Sequence, residues 1–528
     1  MRGNGLARKL AGRASGPRGS VLIAVLWCFV ILGATVISML HTTRLELRMV
    51  KNHGDEVQAR YLAIAGIEKA KALIVQETRK MEAEGVAFDG TLLNDPQDFR
   101  QVPLGRGSFQ VFRGLTPGEQ GTGGPEPMAY GVADEGSRLN INTASLEEIR
   151  MLPGMTDAAA AAVVDWRDDD NDLTEGGAEA EYYATLAPSY RIRNGPFETI
   201  LELLGVRGVT PDLLLGEDAN GNGILDSNEN DGSQSYPADN ADGRLDGGWS
   251  ALITLESSVM NVDARGKQKV NVQRASEEIL AKVEGIGADL AKSIVAYRGK
   301  KAIETIANLL DVVPVVEQAN PGQPAAAPPV QQQGQPQDQS PQGSPLAPGV
   351  IPGGRGPSRG APAQDAPPPE SVVQPAPGPG QDQGQNQLQN QGGGLAEGPK
   401  LISEELLKRI ADFVCTDSSL ECQGLIDINT AEATVLSCLQ GVSEELARAI
   451  VSRRESQGLF GNIAELLDVP GMTREKFQQI CTRVTTRMGT FRIQAEGLIP
   501  STGSRKRITV VIHPGDYDVD TLYYREEP

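Results

Sequence analysis

SVLIAVLWCFVILGATVISML, residues Ser20 to Leu40, is an uncharged apolar run of 21 residues. At about 1.5 Å of rise per residue, a helix of this length spans roughly 30 Å, the thickness of a bilayer core. Residues 1–19 before it carry Arg2, Arg8, Lys9, Arg13 and Arg18 and no acid. Positive charge stays on the cytoplasmic side, so the rest of the chain is expected outside the cytoplasm. A cleavable secretory signal is the alternative. Against it, the run is long, and no small-x-small site follows it cleanly. The pattern also continues as helix. From Arg44 to about Glu84 there is no proline, and Leu62, Ile64, Ile67 and Leu73 recur at helical spacing. The spacing predicts one helix over 20–84, with 20–40 in the membrane.

The chain has 528 residues, enough for about three or four domains. Its net charge of −20 repels a phosphate backbone unless a local basic patch dominates. A phrase recurs beyond the helix: Leu139-Asn-Ile-Asn-Thr-Ala144, Val270-Asn-Val-Gln-Arg-Ala275 and Ile426-Asp-Ile-Asn-Thr-Ala431. Each copy is followed by a short helical pattern, a glycine turn and a second helix, AAAAAVVDWR, ADLAKSIVAYR or EELARAIVSRR. Thr143 and Thr430 read as helix N-caps. Each copy then has a second half, beginning at Phe197, Ile303 and Asn462. These are three helix-hairpin-helix-like modules, similar to the helix-hairpin-helix or SAM-like domains of DNA-repair and competence proteins. DNA-binding versions hold a phosphate on hairpin N–H groups and need surrounding Lys and Arg. Here Glu147, Glu148, Asp157, Asp165, Asp168, Asp169 and Asp170 surround the first hairpin, and Glu277, Glu278, Glu284 and Asp289 the second. The modules are expected to pack and to bind protein, with no nucleic acid.

Asp218-Ala-Asn-Gly-Asn-Gly-Ile-Leu-Asp-Ser-Asn-Glu229 matches a twelve-residue calcium loop. Asp218, Asn220, Asn222, Asp226 and Glu229 stand at positions 1, 3, 5, 9 and 12, and Ile224 offers its carbonyl at 7. Gly223 supplies the sharp turn at position 6. Three carboxylates imply modest affinity and structural use of calcium. Asp239, Asp242 and Asp246, or the run Asp168 to Asp172, are candidates for a second ion. Cys415, Cys422, Cys438 and Cys481 cluster in one stretch and fit two disulfides in an oxidising compartment, their pairing open. No tight Cys-x-x-Cys pair accompanies the three histidines, which disfavours zinc.

Ser108–Arg113, Met128–Val132, Gly489–Glu496 and Lys506–His513 alternate as strands, with Tyr523–Arg525 as a further one. Residues 316–399 are Pro, Gln, Gly and Ala with almost no aromatic or β-branched residues, which predicts a disordered linker between the second and third modules. The domains expected are a leader 1–19, a helix 20–84, strands 85–135, inserted helical modules 136–315, the linker 316–399, a third module 400–487 and terminal strands 488–528. No Ser/His/Asp set, P-loop or dinucleotide glycine motif is present, so no enzyme is expected.

The basic leader ends in Gly19 and the apolar helix starts at Ser20. This resembles a prepilin-type signal, which implies cleavage after Gly19 by a prepilin peptidase and methylation of Ser20. Losing the five positive charges of the leader would take the chain from −20 to −25. Most such proteins carry Glu at the fifth mature position, where this chain has Ala24. In this, in its strand order, in its inserted modules and in its calcium loop, the chain resembles the minor pseudopilin K family of type II secretion. The resemblance implies an α+β fold, with a pilin-like long helix packed on a small antiparallel sheet and a large helical insertion. It further implies a single-pass inner-membrane protein with its bulk in the periplasm, at the pseudopilus tip with minor pseudopilins I and J. The alternative is a membrane-anchored DNA receptor of the competence type, which predicts a basic surface.

Overall fold

The computed structural model describes residues 20–85, 90–120, 128–315, 399–515 and 518–527. Gly19 with the leader, and the 316–399 segment apart from Pro399, lie outside the described residues.

The expected long helix is continuous. Helix α1 spans Ser20–Glu84. Its two halves differ in their surroundings. From Val21 to Val50 the side chains are exposed, and among the described residues this is the one helix long and apolar enough to cross a membrane. Beyond Asp55, the side chains of Ala59, Leu62, Ala63, Ile67, Ala70 and Ile74 are buried. Their spacing of three and four places them on one stripe, which a helix can lay on a sheet.

That sheet has the strand order Val102–Leu104, Gly107–Gly114, Phe491–Ile499, Ser504–Pro514, Val519–Glu527, with antiparallel neighbours throughout. The middle strand belongs to the end of the chain and pairs with one from its first quarter, so the helical modules are inserted between sheet strands. The approach of α1 is close. A Cβ on Gly497 of the middle strand would stand 2.0 Å from the Ala59 carbonyl oxygen, and one on Gly66 of α1 would stand 3.0 Å from the Phe109 ring. The expected strand Met128 to Val132 shortens to Met128–Ala129. Val132 N donates instead to Leu92 O at 2.9 Å, which leaves the sheet ladder.

The three modules are built alike. Each opens with a two-residue strand and closes with another that pairs to it in parallel. The pairs are Leu139–Asn140 with Ile253–Thr254, Val270–Asn271 with Val414–Cys415, and Ile426–Asp427 with Val484–Thr485. The last arginine of each second helix ties the unit together. Arg167, Arg298 and Arg454 donate to the carbonyls of Ile141, Val272 and Ile428 in the opening phrase. The apolar side chains of all three modules form one core.

Two expectations are corrected. The helix Glu404–Ile410 and the strand Val414–Cys415 complete the second module, so the 316–399 segment interrupts that module and does not divide the second from the third. Thr143 and Thr430 are not N-caps. Ser145 caps the helix Leu146–Arg150, its hydroxyl accepting from Glu148 N while the Glu148 carboxylate accepts from Ser145 N. In the third module Glu432 holds that position, without a side-chain cap. The cause is the preceding residue of the phrase. Asn140 Oδ1 and Asp427 Oδ1 accept the amides of Asn142 and Asn429 in a turn of their own, which delays the helix start.

Candidate metal centre

The 218–229 loop folds around its own oxygens. Asp218 accepts the amides of Asn222 and Gly223 at 3.0 and 2.8 Å. Asn222 Oδ1 accepts Ile224 N at 2.6 Å, and Glu229 accepts Ala219 N and Asp226 N at 3.1 and 3.0 Å. Gly223 has φ 71°, the left-handed turn its position requires. Asn220 and Asn222 point their amide nitrogens at Asp226 Oδ2, at 2.8 and 2.9 Å. Asp218 and Glu229 are buried. Burial lifts both carboxyls above their ordinary range, and the charge of Asp226 adds to the rise. A divalent cation reverses such a penalty. The donors are hard oxygens, which fits calcium.

This loop is fixed to the sheet and not only to the module that carries it in sequence. Ile224 sits in the apolar core under α1, in the same cluster as Phe112 and Ile512. Gln494 Nε2 donates to Asn222 O at 3.3 Å, and the Arg525 guanidinium donates to Asn220 O at 3.2 Å. A Cβ on Gly114 would stand 2.1 Å from Gly223 O.

A second acidic group is gathered from helix and loop. One carboxylate oxygen from each of Asp165, Asp168 and Glu179 lies within 4.8 Å of the others. Asp165 is 0% and Glu179 6% exposed. Asp165 Oδ2, Asp168 Oδ1 and Glu179 Oε1 have no hydrogen-bond partner. Burial raises Asp168 and Glu179, and the neighbouring carboxylates raise them further. Of the residues considered for a second ion, only Asp168 belongs to this group. Asp165 and Glu179 were missed, because a loop brings Glu179 back from beyond the Gly176-Gly177 turn. The sequence signal was Asp165 one helical turn before Asp168. Asp239 is engaged elsewhere, accepting the amides of Asp231, Gly232 and Ala241.

The four clustered cysteines are free thiols here, without the two disulfides expected. Cys438 is buried and directs its thiol at Thr434 O, a carbonyl of the helix that precedes it. Cys415 directs its thiol at Asp417 O. Burial raises both thiols, Cys438 to about 12.

A single helix long and apolar enough to cross a membrane, continuing onto an antiparallel sheet with helical modules inserted between the strands, defines a pilin-like architecture. Residues 143–215, in the first module, match the family described as Type II secretion system (T2SS), protein K. Residues 265–319 and 422–485, in the second and third, match the Helix-hairpin-helix motif. The first match makes the first module similar to the corresponding domain of the minor pseudopilins K of type II secretion. An uncharacterized protein of Bacillus subtilis (strain 168), YdcI, is 31% identical over 75 residues, 14% of this chain and 10% of that protein. The chain thus spans about a tenth of that relative's length. The crystal structure of the GspK-GspI-GspJ complex from the enterotoxigenic Escherichia coli type 2 secretion system is similar over 92% of this chain and 99% of that one, at a TM-score of 0.37 and 10% identity.

Proposed function

We propose that the protein is a structural minor pseudopilin at the tip of the type II secretion pseudopilus, where it initiates assembly and supports export across the outer membrane. The observation that carries this reading is α1, a single helix whose apolar half is exposed while its other half is sealed onto the sheet. An exposed apolar helix in the bilayer associates with like helices by packing. Ala24 places no charge there, and a subunit lacking the usual glutamate fits the tip, where no further subunit lies above it. In this reading prepilin peptidase cuts after Gly19 and methylates Ser20, and the bulk of the chain occupies the periplasm. Minor pseudopilins I and J are its partners, and it performs no catalysis. Asp218, Asn220, Asn222, Ile224, Asp226 and Glu229 hold a calcium ion that clips the insertion to the sheet. Asp165, Asp168 and Glu179 hold a second cation.

Affinity purification of the full chain from solubilised membranes is expected to recover minor pseudopilins I and J. Deleting the chain from its host is expected to stop export of type II substrates. Normal export in the deletion strain would overturn the reading. Retention of DNA on a filter at low salt would instead support an anchored DNA receptor, which the acids around the hairpins disfavour.

A further inference from the structure

The three modules differ in charge at the second residue of their opening phrase. The first two have asparagine, Asn140 and Asn271, where the third has Asp427. One oxygen of each does the same job, accepting the amide two residues on: Asn142, Gln273 and Asn429, at 3.0, 2.8 and 2.8 Å. The other end of the side chain is a donor in the first two modules. Asn140 Nδ2 donates to Ser257 Oγ at 3.3 Å, and Asn271 Nδ2 donates to Thr416 O at 2.8 Å. In the third module that end lies beside another carboxyl, Asp134, which accepts from the hydroxyl of Thr430, three residues on from Asp427. Asp134 comes from the short strand that pairs with Phe491–Ile499 of the sheet. Asp134 and Asp427 are 2% and 1% exposed. Two acceptors cannot bond each other, so one of them must carry a proton.

The remaining partners of Asp134 are donors. Gly136 N gives to Oδ1 at 2.9 Å, and the Thr430 hydroxyl gives to Oδ2. The cations nearby are committed elsewhere. Arg138 and Arg492 pair with Glu135, and Arg454 donates to Ile428 O and Ala431 O. Glu135 adds negative charge beside Asp134, while the charge of Arg454 works to lower Asp427 against its burial.

We propose that Asp134 and Asp427 share one proton, which supplies between them the O–H donor that asparagine supplies in the other modules, so that the third module is fastened to the sheet by a joint that loosens as pH rises. Burial raises both carboxyls, and at Asp134 the charge of Asp427 raises it further. A carboxyl whose folded-state value lies above its unfolded one binds its proton more tightly when folded. Its contribution is therefore full in acid and is lost as pH climbs from the ordinary carboxylate range toward the raised value. One proton changes the opening equilibrium by up to tenfold per pH unit.

The test is amide hydrogen exchange, read by mass spectrometry on the full chain in detergent between pH 5 and 8 and corrected for intrinsic exchange. Peptides holding Gly136 and Asn429 are the reporters. In the natural protein their opening constant is expected to rise with pH. In Asp427→Asn, which restores the asparagine of the other modules, it is expected to be flat, with at least tenfold greater protection at pH 8. Asp134→Asn offers the donor from the opposite side and is expected to flatten the slope as well. A flat profile in the natural protein, or a slope retained in both variants, would overturn the proposal.

Discussion

At the residue scale, the junction between sheet and insertion is held by buried charge whose sign is balanced on one side only. Glu135 is 0% exposed. Burial works to raise its carboxyl, but Arg492 and Arg138 outweigh it and hold the group below its ordinary range. Its contribution is therefore present above the ordinary glutamate value and is lost as pH falls through the lowered one. Removing one partner leaves a buried charge uncompensated. Arg492→Met is expected to cost about 3–5 kcal/mol in urea unfolding, most of which a second change, Glu135→Gln, restores. Ile224 makes a different residue-scale link. It anchors the 218–229 loop by apolar packing in the core under α1. Ile224→Ala is expected to cost about 2–5 kcal/mol and to weaken calcium binding with it, by calorimetry. Unchanged calcium affinity would mean that the loop needs no such anchor.

At the scale of elements, α1 and the strand Phe491–Ile499 form the central contact. With the Ala59 carbonyl lying where a Gly497 Cβ would be, Gly497→Val is expected to lift α1 from the sheet and to open the 44–84 part of the helix to protease, while the modules remain resistant. These two elements were legible in the sequence, one from a charge-free run followed by a proline-free helical pattern, the other from alternation. The return strands of the modules were not. Two residues have no period, so Val414–Cys415 gave no sign that it belonged with Val270–Asn271 across the long Pro/Gln/Gly segment. Helix starts were displaced from Thr143 to Ser145 for a similar reason, because the turn made by Asn140 Oδ1 is a side-chain effect that hydrophobic spacing does not record. The calcium loop was readable because its ligands alternate within twelve positions. The Asp165, Asp168 and Glu179 group was not, because its third ligand arrives through a turn.

At the scale of the whole molecule, a cation in the 218–229 loop would join two parts of the chain that a sheet strand and a module contribute separately. Calcium at about one hundred times its dissociation constant is expected to add about 2.7 kcal/mol of stability, seen as a higher melting temperature that a chelator reverses. Asp218→Asn with Glu229→Gln is expected to abolish that part of the shift. Whatever shift remains belongs to the Asp165 group, and Asp165→Asn is expected to remove it. The central claim, however, is that α1 is a pilin helix set free by a peptidase. The intact mass and N-terminal peptide of the full chain, purified from cells with and without prepilin peptidase, test it most directly. The account predicts a chain that starts at N-methylated Ser20 only when the peptidase is present. An intact Met1 under both conditions, or a start beyond Leu40, would contradict it.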